Sequence, residues 1–143
     1  MSFTAFNYGA NVIAFKKGDI KYAMTCAWAM QVDYDKILCL LGSQSVSGKA
    51  IKKGDIIGVS ALSDKQESVA YQLGDNHSDE IDKLSGIDYT IEESAIYINN
   101  SSKIMKVEVI DVLHLEEIEE DNLIYGRLIE SVDNKLPFYR FSK

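Results

Sequence analysis

The segment with the clearest chemical character runs from Ser43 to Lys49 and reads Ser-Gln-Ser-Val-Ser-Gly-Lys. It follows an apolar run and leads into a predicted helix start, where unpaired backbone N–H groups and the positive end of the helix dipole favour an anion. A phosphate there could accept hydrogen bonds from backbone N–H groups and from serine hydroxyls, with a lysine counter-charge close by. The residues that would supply these contacts are Ser43, Ser45, Ser47, Gly48 and Lys49. Simple capping of the helix by Ser47 is the alternative interpretation, because serine-rich loops before helices are common.

A second segment of interest is the apolar run around Trp28, the only tryptophan of the chain. A lone tryptophan in an apolar strand usually belongs to the core, but a tryptophan beside a planar cofactor would show the same pattern. Cys26 lies in this run and Cys39 in the next one, without a disulfide framework or metal-ligand spacing, so both are predicted to be buried free thiols. The two histidines belong to no triad or zinc motif, so nothing in the sequence indicates hydrolysis.

The pentapeptide Lys-Lys-Gly-Asp-Ile occurs twice, at residues 16–20 and 52–56. The flanking residues do not match and no third copy occurs, so it is not a structural repeat. We interpret both copies as turns, because a Gly-Asp break introduces a strand in each.

Composition and charge limit the class of protein. The chain has 143 residues, 46% hydrophobic and 26% charged, which is typical of one globular domain spanning residues 1–143. Fifteen basic residues against 22 acidic ones give a net charge of −7, so neither nucleic acid nor an anionic membrane surface is expected as a partner. No apolar run approaches the roughly 18 residues of a membrane-spanning helix. The first positive charge is Lys16, so the opening residues lack a secretory signal and a cytoplasmic location is expected.

The hydrophobic pattern predicts a mainly β chain with short inserted helices. The predicted strands cover residues 11–15, 20–30, 35–41, 55–62, 95–99, 104–115 and 123–131. The run at 35–41 is continuously apolar and is expected to form a central strand covered on both faces. Short helices are predicted at 49–53, after the capping-box sequence at 63–66, and at 78–84. Six or seven strands favour a small, closed or nearly closed β-barrel, because an open sheet would leave exposed edges.

Taken in order, several short segments resemble the flavin reductase-like FMN-binding split-barrel proteins, a family that includes flavoredoxin. The segments that carry the resemblance are Thr-Cys-Ala-Trp at 25–28, the loop 43–47, Val-Ser-Ala-Leu-Ser-Asp-Lys-Gln at 59–66, Asp-Lys-Leu at 82–84 and Leu-Ile-Tyr-Gly-Arg-Leu at 123–128. Each segment is short, and their joint order along most of the chain is the specific feature. The sequence departs from the family pattern at Ser60, where asparagine is usual.

The resemblance implies a mainly β fold, namely a split β-barrel of Greek-key-like topology with two or three short helices, that binds FMN noncovalently at a homodimer interface. The residues implied to contact or flank the flavin ring are Thr25, Cys26, Ala27 and Trp28. The residues implied to hold the phosphate are Ser43, Gln44, Ser45, Ser47 and Gly48, with Lys49 and Lys83 as further contacts. The implied phosphate loop coincides with the anion site that the residues alone indicate.

The implied activity is that of an FMN-dependent oxidoreductase, which transfers a hydride or electrons from NAD(P)H through the flavin to an acceptor. The flavin carries this chemistry, so no catalytic side chain is expected. A net charge of −7 disfavours a phosphate-rich dinucleotide unless local lysines compensate, so a flavoredoxin-like electron carrier with a protein redox partner is the first alternative. A flavin-free small β-barrel binding module is the second alternative.

Overall fold

A computed structural model describes residues 9–42, 49–75 and 84–140 of the chain. These residues hold nine complete strands and one complete helix, which confirms the mainly β prediction. The strands are β1 (Asn11–Lys17), β2 (Ile20–Cys26), β3 (Ala29–Asp33), β4 (Lys36–Leu41), β5 (Ile56–Ala61), β6 (Tyr89–Glu92), β7 (Ala95–Ile98), β8 (Lys103–Leu113) and β9 (Asn122–Asp133), and the helix is α1 (Glu67–Asp75). Within the described ranges, no helix has the length and apolar character needed to cross a bilayer.

All strand pairs are antiparallel and belong to one sheet, in the order β3-β4-β9-β8-β5-β1-β7-β6. One edge of β1 pairs with β2 along its whole length, with Asn11 opposite Cys26. The other edge pairs first with β5 over residues 11–14 and then with β7, where Phe15 lies opposite Ala95. Strand β1 therefore lies where the sheet divides.

The sheet is open, and its path ends at the short strands β3 and β6. These strands have five and four residues, and the register of β3 is irregular between Gln31 and Asp33. Short and irregular strands at the two ends of the path limit edge-to-edge pairing with other chains. The expected split β-barrel is confirmed in this open form.

The predicted strand at 20–30 is two strands, β2 and β3, separated by a bend at Ala27 and Trp28. Strand β2 pairs with β1, whereas β3 pairs with β4, with Ala29 opposite Cys39. An apolar run indicates that a strand is buried but not which strand it pairs with, so the sequence pattern did not show this change of partner. The bend therefore places the segment that the resemblance assigns to the flavin ring between two different strand pairs.

The helix predicted after the capping-box sequence is present as α1, and one of the two capping-box hydrogen bonds is observed. The Ser63 N–H donates to Gln66 Oε1 at 2.8 Å, whereas the Gln66 N–H donates to the Ser63 backbone carbonyl at 3.0 Å and so closes a turn. Of the helix predicted at 49–53, residues 49 and 50 are helical, and the chain then turns at Gly54, whose φ is 93°. The turn predicted at 78–84 lies outside the described residues except for Leu84, which is buried.

Two apolar clusters cover the two faces of β1. Ile13 and Phe15 belong to the barrel interior, whereas Val12 and Ala14 face a second cluster that includes Leu73 of α1. This alternation follows from the two-residue period of a strand, and it buries all four side chains.

Strand β4 differs from its prediction. Ile37, Cys39 and Leu41 are buried in the barrel interior, but Leu38 and Leu40 are only half-buried on the outer face. The prediction that this strand is covered on both faces is therefore wrong for the chain by itself, and the outer face of β4 is available for contact.

Candidate functional site

The bend between β2 and β3 is held by the two strands on either side of it. The Asn11 side-chain amide in β1 donates to the Cys26 carbonyl at 3.2 Å. The Leu40 N–H in β4 donates to the Trp28 carbonyl at 2.9 Å. The backbone on both sides of Ala27 is therefore fixed by hydrogen bonds to separate strands.

Thr25, one of the implied ring contacts, is engaged with α1. Its hydroxyl donates to the Ala70 carbonyl at 2.7 Å, and a Cβ at Gly74 would lie 3.7 Å from the Thr25 Cβ. The hydroxyl hydrogen is thus committed to the helix, which leaves only oxygen lone pairs for a ligand. Thr25 accordingly holds the bend against α1.

Cys26, the second implied ring contact, directs its side chain into the core. It is 3% exposed, and its Sγ donates to the carbonyls of Trp28 and Leu40 at 3.3 and 3.4 Å. Cys39 is 2% exposed, and both thiols are free, which confirms the prediction of buried free thiols. A ligand on the outside of the bend can reach Cys26 only through its backbone.

Trp28 lies on the surface, with 63% of its side chain exposed, so the interpretation of Trp28 as a core residue is wrong. Ala27 beside it is half-buried. Burying a large apolar side chain is worth about 1.5–3 kcal/mol. The exposed indole on this hydrogen-bonded bend is therefore a candidate contact site for a ligand or a protein.

Trp28 begins an apolar stripe on the outside of β3, in which Met30 is 61% and Val32 44% exposed. The next two strands continue the apolar surface, since Leu38 of β4 lies opposite Met30 and Tyr125 of β9 lies opposite Leu38. We call these five residues the outer apolar face. Contiguous exposed apolar surface of this kind marks interaction sites.

Most of the implied phosphate site lies outside the described residues. This applies to Ser43, Gln44, Ser45, Ser47, Gly48 and Lys83. Of the implied phosphate contacts, Lys49 is described, and it is exposed and helical. The described chain before the loop ends at Gly42, directly after Leu41 in the barrel interior. The loop thus starts from a strand that is hydrogen-bonded to β3.

A lysine that sequence reasoning did not select anchors the residues after this loop. Lys17 Nζ donates to the Ala50 carbonyl at 2.6 Å and forms an ion pair with Asp55 at 2.8 Å. The same Asp55 carboxylate accepts a hydrogen bond from the Lys52 N–H at 2.8 Å. Lys17 and Asp55 belong to the two copies of Lys-Lys-Gly-Asp-Ile, but a repeated pentapeptide does not indicate that its copies are in contact, so no sequence signal identified this pair. We call Lys17, Ala50 and Asp55 the lysine clamp.

A charged groove of about 230 Å³ lies between the β6–β7 hairpin and the strands β8 and β9. Lys106 Nζ there lies 2.8 Å from Glu92, 3.0 Å from Glu93 and 3.9 Å from Glu130. The hydrogen bond from Lys106 lowers the pKa of Glu92, and the carboxylates raise the pKa of Lys106. Because Lys106 is engaged with carboxylates, this groove is not a candidate site for an anionic ligand.

The described residues thus combine an open split barrel with an exposed tryptophan between two strand pairs. The family model described as "Flavin reductase like domain" matches residues 3–136. The chain belongs to this family, as the resemblance implied. No curated protein gives a significant match to the sequence.

Solved structures share this fold over almost the whole chain. The NADH:FAD oxidoreductase SgcE6 of Streptomyces globisporus C-1027 is 18% identical, with a TM-score of 0.81 over 96% of this chain and 88% of that one. A homolog of nitrilotriacetate monooxygenase component B from Mycobacterium thermoresistibile is 23% identical, with a TM-score of 0.77 over 94% of this chain and 76% of that one. An FMN-binding protein from Thermus thermophilus is 12% identical, with a TM-score of 0.78 over 92% of this chain and 74% of that one.

Proposed function

We propose that this chain is an FMN-dependent oxidoreductase of the flavin reductase type, which takes a hydride or electrons from NAD(P)H and passes them to an acceptor. The observation that carries the proposal is the exposed Trp28 on a fixed bend, in the segment that the resemblance assigns to the flavin ring. Membership of the family supports a flavin as the ligand. A bound flavin supplies the redox chemistry itself, so the chain's own residues need only bind, orient and shield it.

The residues at the bend fit a planar ligand with apolar faces. Trp28 offers an exposed aromatic surface, and Ala27 beside it adds little bulk. Thr25 and Cys26 direct their side chains into the protein, so we propose that they contribute backbone atoms to the ring site and hold the bend in place. Trp28 and Ala27 are then the side chains that contact the ring.

We propose that the phosphate lies in the loop formed by Ser43, Gln44, Ser45, Ser47 and Gly48, with Lys49 and Lys83 as further contacts. The exposed position of Lys49 at the helical residues after the loop supports this placement. The lysine clamp supports it as well, because it fixes the chain that follows the loop to β1. A helix start combined with hydroxyls and a lysine suits a dianionic phosphate.

We propose FMN rather than FAD as the flavin. The fold is shared by an NADH:FAD oxidoreductase and by an FMN-binding protein, so it does not choose between the two flavins. A short serine loop matches the single terminal phosphate of FMN better than the internal diphosphate of FAD, which carries a bulky adenosine. The preference for FMN therefore depends on the loop.

The proposed electron donor is NADH or NADPH, and the proposed acceptor is a free flavin or a partner enzyme. One structural relative is described as an NADH:FAD oxidoreductase and another as a homolog of a monooxygenase component, which supports this pair of roles.

The net charge of −7 favours the second candidate function, a flavoredoxin-like carrier that exchanges electrons with a protein and does not turn over a nicotinamide.

We propose further that residues 1–143 act as one domain in a cytoplasmic homodimer. The outer apolar face supports a second copy of the chain as its occupant, because it continues from the proposed ring contact Trp28 onto β4 and β9. Two buried cysteines that remain free thiols are consistent with a reducing compartment.

The test of the cofactor is a titration of the purified chain with FMN and, separately, with FAD, followed by desalting and a visible absorption spectrum. The proposal expects a retained FMN spectrum and weaker retention of FAD. A protein that retains neither flavin would be the flavin-free binding module, and the oxidoreductase proposal would be rejected.

The test of the electron donor is stopped-flow mixing of the FMN-loaded protein with NADH or NADPH under anaerobic conditions. Loss of the flavin absorbance within the time of one catalytic turnover supports the proposal of a flavin reductase. A flavin that stays oxidised with both nucleotides but bleaches with a reduced protein donor identifies the electron carrier.

A further inference from the structure

The chain after β9 runs back to the start of α1, and we call its residues 134–140 the strap. The Asn134 N–H donates to the Ser102 carbonyl at 2.9 Å, and the Tyr139 N–H donates to the Leu62 carbonyl at 2.9 Å. Leu62 directly follows β5 and precedes the turn that leads into α1. The strap is therefore hydrogen-bonded to the chain that introduces the helix.

The side chain of Tyr139 is turned into the protein. It is 7% exposed, whereas the neighbouring Phe138 is 59% exposed. Tyr139 belongs to the same buried cluster as Ala70 and Leu73 of α1, and its hydroxyl donates to Glu67 Oε2 at 3.5 Å. Glu67 and Ala70 are three residues apart in the helix and so lie on one side of it. Tyr139 therefore fixes this side of α1 to the strap.

The same helix is hydrogen-bonded to the bend between β2 and β3. The Ala70 carbonyl accepts the Thr25 hydroxyl at 2.7 Å. Thr25 is half-buried in the last part of β2, three positions before Trp28. Because this hydrogen bond joins the helix directly to the bend, a displacement of α1 would reach Trp28 through Thr25.

We propose that Tyr139 is a positioning residue of the flavin site: it holds α1 where Ala70 accepts the Thr25 hydroxyl, and so fixes the bend that carries Trp28. Tyr139 lies after residue 136, the last residue that the family model matches, so this contact is outside the pattern by which the family is recognised. The effect on flavin binding rests on the proposed function, whereas the effect on the bend does not.

The first experiment measures the bend without a flavin. Trp28 is the only tryptophan of the chain, so the fluorescence anisotropy of the flavin-free full chain, excited where tyrosine does not absorb, reports its mobility. Tyr139→Leu removes the aromatic ring from the buried cluster, and we expect lower anisotropy because the bend is less constrained. Phe138→Leu is the matched control, since it makes the same change on the exposed side of the strap, and it should keep the wild-type anisotropy.

Wild-type anisotropy in Tyr139→Leu would overturn the proposal, as would an equal decrease in Phe138→Leu. Circular dichroism checks the fold of both variants. If Tyr139→Leu does not fold, Tyr139→Met takes its place in the same comparison, because the unbranched methionine side chain adapts to irregular spaces in a core.

A double-mutant cycle tests the path through Thr25. Thr25→Val removes the hydroxyl at nearly the same size and should also lower the Trp28 anisotropy, whereas Thr25→Ser keeps a hydroxyl and should recover it. Changes at independent sites add, so Tyr139→Leu should have no further effect once residue 25 is valine if the two residues act on one path. Decreases that add in the double variant would overturn the path from Tyr139 to the bend.

FMN titration of the same variants carries the test to the cofactor. Tyr139→Leu should raise the dissociation constant for FMN about 3-fold to 10-fold, the range expected of a residue that is coupled to a site without touching the ligand. Phe138→Leu should leave this constant unchanged. Wild-type affinity in a Tyr139→Leu variant with lowered anisotropy would overturn the positioning role. A wild-type chain that retains no flavin would instead reject the proposed function, and the anisotropy would still decide whether Tyr139 fixes the bend.

Discussion

Trp28 and Thr25 are close in sequence but have opposite surroundings. Trp28 is largely exposed, whereas the Thr25 hydroxyl donates to Ala70 in α1. Side-chain exposure therefore separates the residue that can meet a ring from the residue that holds the bend. Two substitutions, one of Trp28 and one of Ser47, test the proposed flavin site at the scale of single residues.

Replacing Trp28 by alanine should weaken FMN binding by roughly 3-fold to 10-fold. Aromatic contacts contribute about 0.5–1.5 kcal/mol beyond the area they bury. The measurement is an FMN titration followed by absorbance, with Tyr34→Ala as the matched control, since Tyr34 is 95% exposed in the turn after β3. An unchanged affinity and spectrum in folded Trp28→Ala would show that Trp28 serves an interface and not the flavin.

Replacing Ser47 by aspartate should abolish FMN retention. The new carboxylate would face the phosphate, and juxtaposed like charges cost several kcal/mol, which corresponds to at least ~100-fold in affinity. The control is Ser68→Asp in the first turn of α1, where an exposed carboxylate is favourable. Circular dichroism checks the fold of both variants, and FMN retained by Ser47→Asp would move the phosphate out of the loop.

At the scale of elements, the lysine clamp joins the β1–β2 hairpin to the chain that follows the proposed phosphate loop. Lys17→Met should raise the dissociation constant for FMN about 3-fold to 5-fold, because it releases this chain while leaving the loop residues unchanged. The expected loss of stability is small, about 0.5–1 kcal/mol, since the Lys17 side chain is 38% exposed and its ion pair is screened.

The matched control for the clamp is Lys16→Met, which removes the same charge from the neighbouring position. Isothermal titration with FMN and thermal unfolding should both be measured on each variant. Equal loss of affinity for FMN in the two variants would mean that the positive charge of this region, and not the lysine clamp, supports binding.

The crossing of β5 and β7 tolerates no side chain at Gly58. A Cβ there would overlap the backbone of Ile96, which cannot move without breaking strand pairing. Gly58→Ala should therefore lower the free energy of unfolding by about 3 kcal/mol. Urea unfolding measures this free energy. Gly74→Ala is the control, because its new Cβ would lie at an ordinary contact distance in α1 and should stabilise the protein by up to ~1 kcal/mol.

At the scale of the whole molecule, the outer apolar face is the surface that a second copy of the chain would cover. Met30→Lys places a charge at its centre and should shift the proposed dimer to monomer, because burying an unpaired lysine in an interface is strongly unfavourable. Sedimentation velocity measures the change. Ile91→Lys on β6 is the control, since Ile91 is exposed but lies outside this face. A wild-type chain that is monomeric when loaded with FMN would contradict the dimer.

Local signals in the sequence determined much of the fold and the family. Alternating or continuous apolar runs located β1, β4, β5 and β7 to β9, and the Ser-x-x-Gln capping box located the start of α1. Strand β6 was missed because three of its four residues are exposed and only the turn at Glu93, with a φ of 58°, joins it to β7. The order of short motifs was enough to indicate the flavin reductase-like family.

Only the tertiary structure decided which residues of these segments meet. The change of strand partner at the bend exposed Trp28, buried Cys26 in the same core cluster as Cys39, and left the outer face of β4 half-buried. The two copies of one pentapeptide, interpreted as separate turns, are joined through Lys17 and Asp55. The physical reason is the same in each case: periodicity and turn residues report local backbone geometry and burial, whereas strand pairing and side-chain contacts are made between residues that are distant in sequence.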